Sequence, residues 1–188
     1  MKPFRLALAG ALAFAGLAMP SFAAEDDFLT IELKDGPVVV ELLPDVAPKH
    51  VQRIKELASS GEYDNVAFHR VIEGFMAQTG DVEFGDMEDG FEASRAGTGG
   101  SKLPDLPAEF SEVPFERGTV GMARSQDPDS ANSQFFIMFD EGSFLNGQYT
   151  VVGKVVSGME NVDKIKRGEG GNGEVSDPDR MVKVTVGK

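Results

Sequence analysis

Leu29-Thr30-Ile31-Glu32-Leu33-Lys34-Asp35-Gly36-Pro37-Val38-Val39-Val40-Glu41-Leu42 consists of two alternating runs around an Asp-Gly pair. Successive side chains of a strand point to opposite faces, so Leu29, Ile31 and Leu33 share one face, and Val38, Val40 and Leu42 share another. Asp35-Gly36 supplies the turn. The stretch predicts a β-hairpin with one buried face.

Downstream, Asp45 is placed as a helix N-cap, with Pro48 tolerated in the first turn. Val51, Ile54, Leu57 and Ala58 then fall on one helical face, and Gly61 suits the C-terminal cap. Further strands are expected over 67–72, 75–79, 118–123, 134–139, 150–156 and 181–186, with a second helix over 159–166. The chain has no internal repeat and no Pro/Ser-rich linker. Eight short strands and two helices suggest one mainly β domain, a closed or nearly closed β-barrel.

Upstream, Lys2 and Arg5 precede an uncharged run from Leu6 to Met19, closed by Pro20, Ser21, Phe22 and Ala23. A basic start, an apolar centre and a small-residue exit describe a secretory signal peptide over 1–23, cleaved near Ala23. The apolar run is shorter than the roughly 20 residues that span a bilayer. The expectation is export to the periplasm or beyond, with 24–188 as the mature domain and no membrane attachment after cleavage.

The 188 residues carry 31 acidic and 18 basic side chains, a formal charge of −13. Removing the leader takes away two cations and no acid, which leaves the mature chain near −15. Nucleic acid is disfavoured as a partner, because phosphate binding needs clustered Lys and Arg. The absence of cysteine excludes disulfide frameworks, thiol catalysis and zinc-finger sites. With His50 and His69 as the only histidines, no His-rich metal site is expected.

The segments 81–116 and 168–180 read as loops. Asp81, Glu83, Asp86, Glu88, Asp89 and Glu92 lack the spacing of a calcium loop and are expected to form a solvated acidic surface. Gly97, Gly99 and Gly100 lack the Lys-Ser/Thr of a phosphate loop and are read as a tight turn. Asp127-Pro128-Asp129-Ser130 is turn chemistry.

One segment carries a longer signal. On adjacent strands, alternation places Arg70, Met76 and Gln78 together on one sheet face, with His69 on the other as a buried structural histidine. The full run Tyr63-Asp-Asn-Val-Ala-Phe68-His69-Arg70-Val71-Ile72-Glu-Gly-Phe75-Met76-Ala-Gln78-Thr-Gly80-Asp81 resembles the signature of cyclophilin-type peptidyl-prolyl isomerases. Gly97-Thr98-Gly99-Gly100, Gly118-Thr119-Val120-Gly121-Met122-Ala123, Ser133-Gln134-Phe135-Phe136-Ile137, Phe144-Leu145-Asn146-Gly147 and Val151-Val152-Gly153-Lys154-Val155 follow in the family's order. The likeness covers residues 28–187.

The resemblance implies a closed eight-stranded antiparallel barrel capped by two α-helices. It implies an enzyme for X–Pro bonds of polypeptides that works without cofactor or metal, as a monomer. By the same resemblance Arg70, Gln78 and Phe136 are catalytic: Arg70 favours the twisted amide and Gln78 positions Arg70. Phe75, Met76, Phe136 and Leu145 form the proline pocket, with Phe144 and Tyr149 at its wall, while Ala123, Arg124 and Gln134 line the peptide groove.

The sequence departs from the eukaryotic pattern at four places. Phe144 stands where those members carry Trp, so the indole N–H is absent and the likeness is to the bacterial branch. Tyr149 replaces a His, Arg124 an Asn, and about ten extra residues lie between Asp81 and Gly97. Two function classes stay open: a foldase for exported clients, and a proline-recognition or holdase module whose turnover is incidental.

Overall fold

The computed structural model describes residues 24–188; the expected leader at 1–23 lies outside the described residues. The expected hairpin is present: β1 (Phe28–Leu33) pairs with β2 (Gly36–Leu42), Leu29 opposite Val40 and Ile31 opposite Val38. The turn itself falls on Lys34 and Asp35. Gly36, at φ +132°, opens β2 opposite Leu33, and a Cβ there would lie 2.8 Å from the Asn161 amide nitrogen.

Helix α1 (Pro48–Ser59) follows, with Val51, Ile54, Leu57 and Ala58 buried as its spacing requires. Asp45 does not cap it. Ala47 occupies the N-cap position, and Glu109, far along the chain, accepts the Lys49 amide at 3.1 Å and the His50 amide at 3.2 Å. A carboxylate at a helix N-terminus satisfies free N–H groups and meets the positive end of the dipole. At the other end Gly61 (φ +79°) allows the Glu62 amide to reach Leu57 O at 3.0 Å, a Schellman closure.

The remaining elements are β3 (Arg70–Ile72), β4 (Met76–Thr79), β5 (Thr119–Met122), β6 (Phe135–Met138), β7 (Val151–Ser157), α2 (Met159–Val162) and β8 (Lys183–Val186). Helix α2 stops four residues before the expected 166. The Lys166 amide is taken by Asp179 Oδ2 at 2.8 Å instead of continuing the helix. Among the described residues no helix is long and apolar enough to cross a membrane.

The eight strands form one antiparallel sheet in the order β3-β4-β6-β5-β7-β2-β1-β8. It is an open half-barrel, and the expected closed barrel is not formed. The edge strands β3 and β8 do not pair with each other; single bridges Ala67↔Arg180, Val66↔Asp86 and Arg70↔Glu174 occupy the gap. Pro178 has no N–H for a ladder. Gly173 passes so close to β3 that a Cβ would meet Ile72 Cγ1 at 2.4 Å. These features make the segment between α2 and β8 a covering loop.

The half-barrel has two apolar faces. Val71, Ala77, Val120, Phe135 and Ile137 point inward onto the core that α1 also joins. Their alternating neighbours Ile72, Met76, Phe136 and Met138 point outward and pack with Phe115, Leu145 and Val151. The site is built on this outer cluster.

Candidate active site

The β3–β4 register sets Arg70 opposite Gln78 and Ile72 opposite Met76, so the pleat delivers all four to the outer face. Arg70 Nη1 donates to Gln78 Oε1 at 3.2 Å and lies 3.9 Å from Met76 Sδ, while Nε donates to Asn172 O at 3.0 Å. Gln78 Nε2 donates to Gln134 Oε1 at 2.9 Å, and Gln134 Nε2 donates to Gly99 O at 2.8 Å. The chain of amides leaves each group one orientation and holds the guanidinium in place. Burial lowers the Arg70 pKa below its ordinary value. Among the described residues no carboxylate forms an ion pair with it.

Beside Arg70 opens a cavity of ≈ 380 Å³. Met76, Phe136 and Leu145 are buried in its floor; Phe75 and Tyr149 are half-buried in its walls. Phe136 stacks on Phe115 behind it with centroids 5.7 Å apart, and meets Tyr149 edge-on at 6.0 Å. Phe144, 64% exposed, leans on Phe75 at 5.5 Å and forms the rim. Gly121, opposite Phe136 on β5, leaves room for this floor: a Cβ there would lie 2.7 Å from Phe136 Cζ.

Two further cavities border the first. One, of ≈ 260 Å³, shares Gln78, Ala123 and Arg124 with it and continues past Gly97, Gly99, Asn132 and Gln134. The other, of ≈ 290 Å³, lies on the far side of Arg70 and Gln78 against Phe91, Ala93, Ser94, Asn172 and Glu174. The extra residues between Asp81 and Gly97 therefore wall a cavity next to Arg70.

The structure brings Arg70, Gln78, Phe136, Phe75, Met76, Ala123, Arg124, Phe144, Leu145 and Tyr149 to one cavity and Gln134 to its neighbour. Sequence reasoning missed Gln148, Asn172 and Phe115. The first two act on the arginines through main-chain carbonyls, which no side-chain identity announces. Phe115 belongs to a stretch with no periodicity.

One sequence expectation changes here. Asp81 is not part of a solvated surface: it is 0% exposed. Its Oδ1 accepts the Glu83 and Phe84 amides at 3.1 and 3.0 Å, and its Oδ2 accepts Gly97 and Gly99 at 2.7 and 3.0 Å. The glycine turn is thus an anion-binding concavity whose anion is a side chain of the same chain. A Cβ on Gly99 would sit 2.5 Å from Asp81 Oδ1. Glu83, Glu88, Asp89 and Glu92 are exposed as expected. His69 is buried at 6% exposure beneath Gly97, with neither ring nitrogen within full hydrogen-bond geometry of a partner among the described residues, and burial lowers its pKa.

An aromatic pocket beside an amide-held guanidinium, on the outer face of a β half-barrel, defines a cyclophilin-like protein. The family model for "Cyclophilin type peptidyl-prolyl cis-trans isomerase/CLD" matches residues 28–186. A probable peptidyl-prolyl cis-trans isomerase of Brucella suis is 62% identical over 99% of this chain and 97% of its own. Peptidyl-prolyl cis-trans isomerase B of Escherichia coli is 36% identical over 73% of this chain and 83% of its own. A Cryptosporidium parvum cyclophilin-type isomerase, crystallised in the presence of the dipeptide Ala-Pro, superposes with a TM-score of 0.73. It is 26% identical, and the alignment covers 86% of this chain and 99% of that one. The chain belongs to the cyclophilin-type peptidyl-prolyl cis-trans isomerase family and is an isomerase of that type.

Proposed function

We propose that the protein catalyses rotation about X–Pro bonds in exported polypeptides, with Arg70 stabilising the twisted amide over the aromatic pocket. The bond turns over in tens to hundreds of seconds unaided, because rotation interrupts amide resonance across a barrier of about 18–20 kcal/mol. No covalent bond breaks. What is required is a grip on the proline ring and a donor that binds the twisted state better than the planar one. Twisting localises the lone pair on the imide nitrogen, which then accepts a hydrogen bond that the planar amide does not accept.

The observation that carries this reading is the position of Arg70. Its guanidinium is fixed by Gln78 and by Asn172 O at the edge of the apolar cavity, with Nη2 making no hydrogen bond among the described residues. Phe75, Met76, Phe136 and Leu145 hold the ring; Phe144 and Tyr149 close the wall; Ala123, Arg124 and Gln134 receive the flanking chain. An acceleration of about 10²–10⁴ corresponds to about 3–5.5 kcal/mol of preferential binding.

The test is a protease-coupled assay on a proline tetrapeptide. Arg70→Ala is expected to lower kcat/KM by about 10²–10³, the usual loss for one preorganised donor. Turnover equal to wild type would refute the Arg70 mechanism. Rescue of a client-folding defect by an inactive, binding-competent variant would favour the holdase reading. Export rests on the leader pattern at 1–23, and N-terminal sequencing of secreted protein beginning near residue 24 is the expected result. The mature chain is assigned to the periplasm, as a monomer of the bacterial branch.

A further inference from the structure

We propose that Arg124 makes the enzyme selective for clients with an acidic side chain adjacent to the proline, an inference that rests on the isomerase reading above. The proline pocket and the cavity that continues it are lined by Arg70 and Arg124 and by no Asp or Glu. This is the reverse of the molecule as a whole, with its net charge of −13. Arg124 belongs to both cavities, so a polypeptide passing from one to the other over Gln78 and Ala123 runs alongside Arg124.

The charge is held in place but not neutralised. Arg124 Nε and Nη2 donate to Gln148 O at 3.2 and 2.9 Å, and Nη1 donates to Ser125 O at 2.9 Å. The planar group lies 4.3 Å over the Tyr149 ring. Carbonyls and an aromatic face orient a guanidinium without cancelling its charge. Arg95, Arg117, Arg167 and Arg180 each face a carboxylate, whereas Arg124 forms no ion pair among the described residues. A preorganised cation at the exit of the pocket has already lost the side-chain entropy that weakens most exposed ion pairs. Its complement is the carboxylate of Asp or Glu.

The experiment measures kcat/KM on two tetrapeptide series, with Glu, Gln or Lys either immediately before or immediately after the proline. The enzymes are wild type, Arg124→Gln and Arg124→Lys. In one series the wild type is expected to prefer Glu over Gln by about two- to fivefold, the range of a half-exposed ion pair. The preference should disappear in Arg124→Gln, persist in Arg124→Lys and shrink as salt is raised. A Glu/Gln ratio of one in both series, with the Gln peptides turned over normally, overturns the proposal. So does a preference that survives in Arg124→Gln, or one that Arg124→Lys loses as completely as Arg124→Gln, which would make Arg124 a loop clamp. Wild-type enzyme that turns over none of the peptides would instead refute the isomerase reading itself.

Discussion

Replacing Asp81 with Asn is nearly isosteric, yet it should be among the most damaging single changes in the domain. The carboxylate is wholly buried and accepts four backbone amides, two on each oxygen. An Asn side chain keeps one oxygen and turns an NH₂ toward the other pair. In either orientation two N–H groups lose their acceptor and face a donor. A buried polar group left unsatisfied costs about 1–3 kcal/mol, so two cost about 2–6 kcal/mol. That is a large part of the 5–15 kcal/mol typical of a domain. The loss should appear in guanidinium denaturation as a lower midpoint at unchanged slope. The loop could instead open locally. In that case the Gly97 and Gly99 amides exchange rapidly while the global midpoint moves little. A loss below about 1 kcal/mol with both amides still protected would refute the argument.

Two other outcomes follow from the same geometry. Gly121→Ala places a Cβ 2.5 Å from Phe115 Cε1 and 2.7 Å from Phe136 Cζ, which drives Phe136 into the proline pocket. It should cost about 1–3 kcal/mol of stability and about tenfold in kcat/KM, and unchanged kcat/KM would show that Phe136 is not displaced. His69, whose pKa burial depresses, stays neutral in the folded protein while the unfolded chain takes up a proton near the ordinary 6.5. Its contribution is therefore complete above 6.5 and is lost as pH falls from there toward the folded value. Asp27, Glu109 and Asp163, held below their ordinary 3.8 to 4.5, lose theirs only at lower pH. His69→Gln should flatten the decline in urea midpoint between about pH 7 and about pH 5; a slope identical to wild type would contradict the assignment.

The parts legible from sequence were those governed by neighbours along the chain. Alternation alone placed Arg70, Met76 and Gln78 on one face, because side-chain direction in a strand repeats every two residues whatever lies opposite. The same rule separated Val71 and Ala77, which went to the core. The helical face Val51, Ile54, Leu57 and Ala58 followed from the 3.6-residue period, and Gly61 marked the helix end through its freedom at positive φ. Local chemistry misled at Asp45, which had the right residue type for a cap; the cap came instead from Glu109, some sixty residues away. It misled again at Asp81, which resembled its acidic neighbours until the fold closed four amides around it.

The sequence by itself determined the strands, their buried faces and, through its collinear motifs, the family. It also carried the charge contrast between an acidic chain and an arginine-bearing site. Only the tertiary structure decided that the sheet stays open between β3 and β8. It alone decided that the extra residues after Asp81 wall a cavity beside Arg70, and that Arg124 is held by carbonyls with no ion pair among the described residues. The division has one physical cause. Side-chain direction is set by local backbone geometry, whereas the partner of a polar group is whatever the folded chain brings within three ångströms of it.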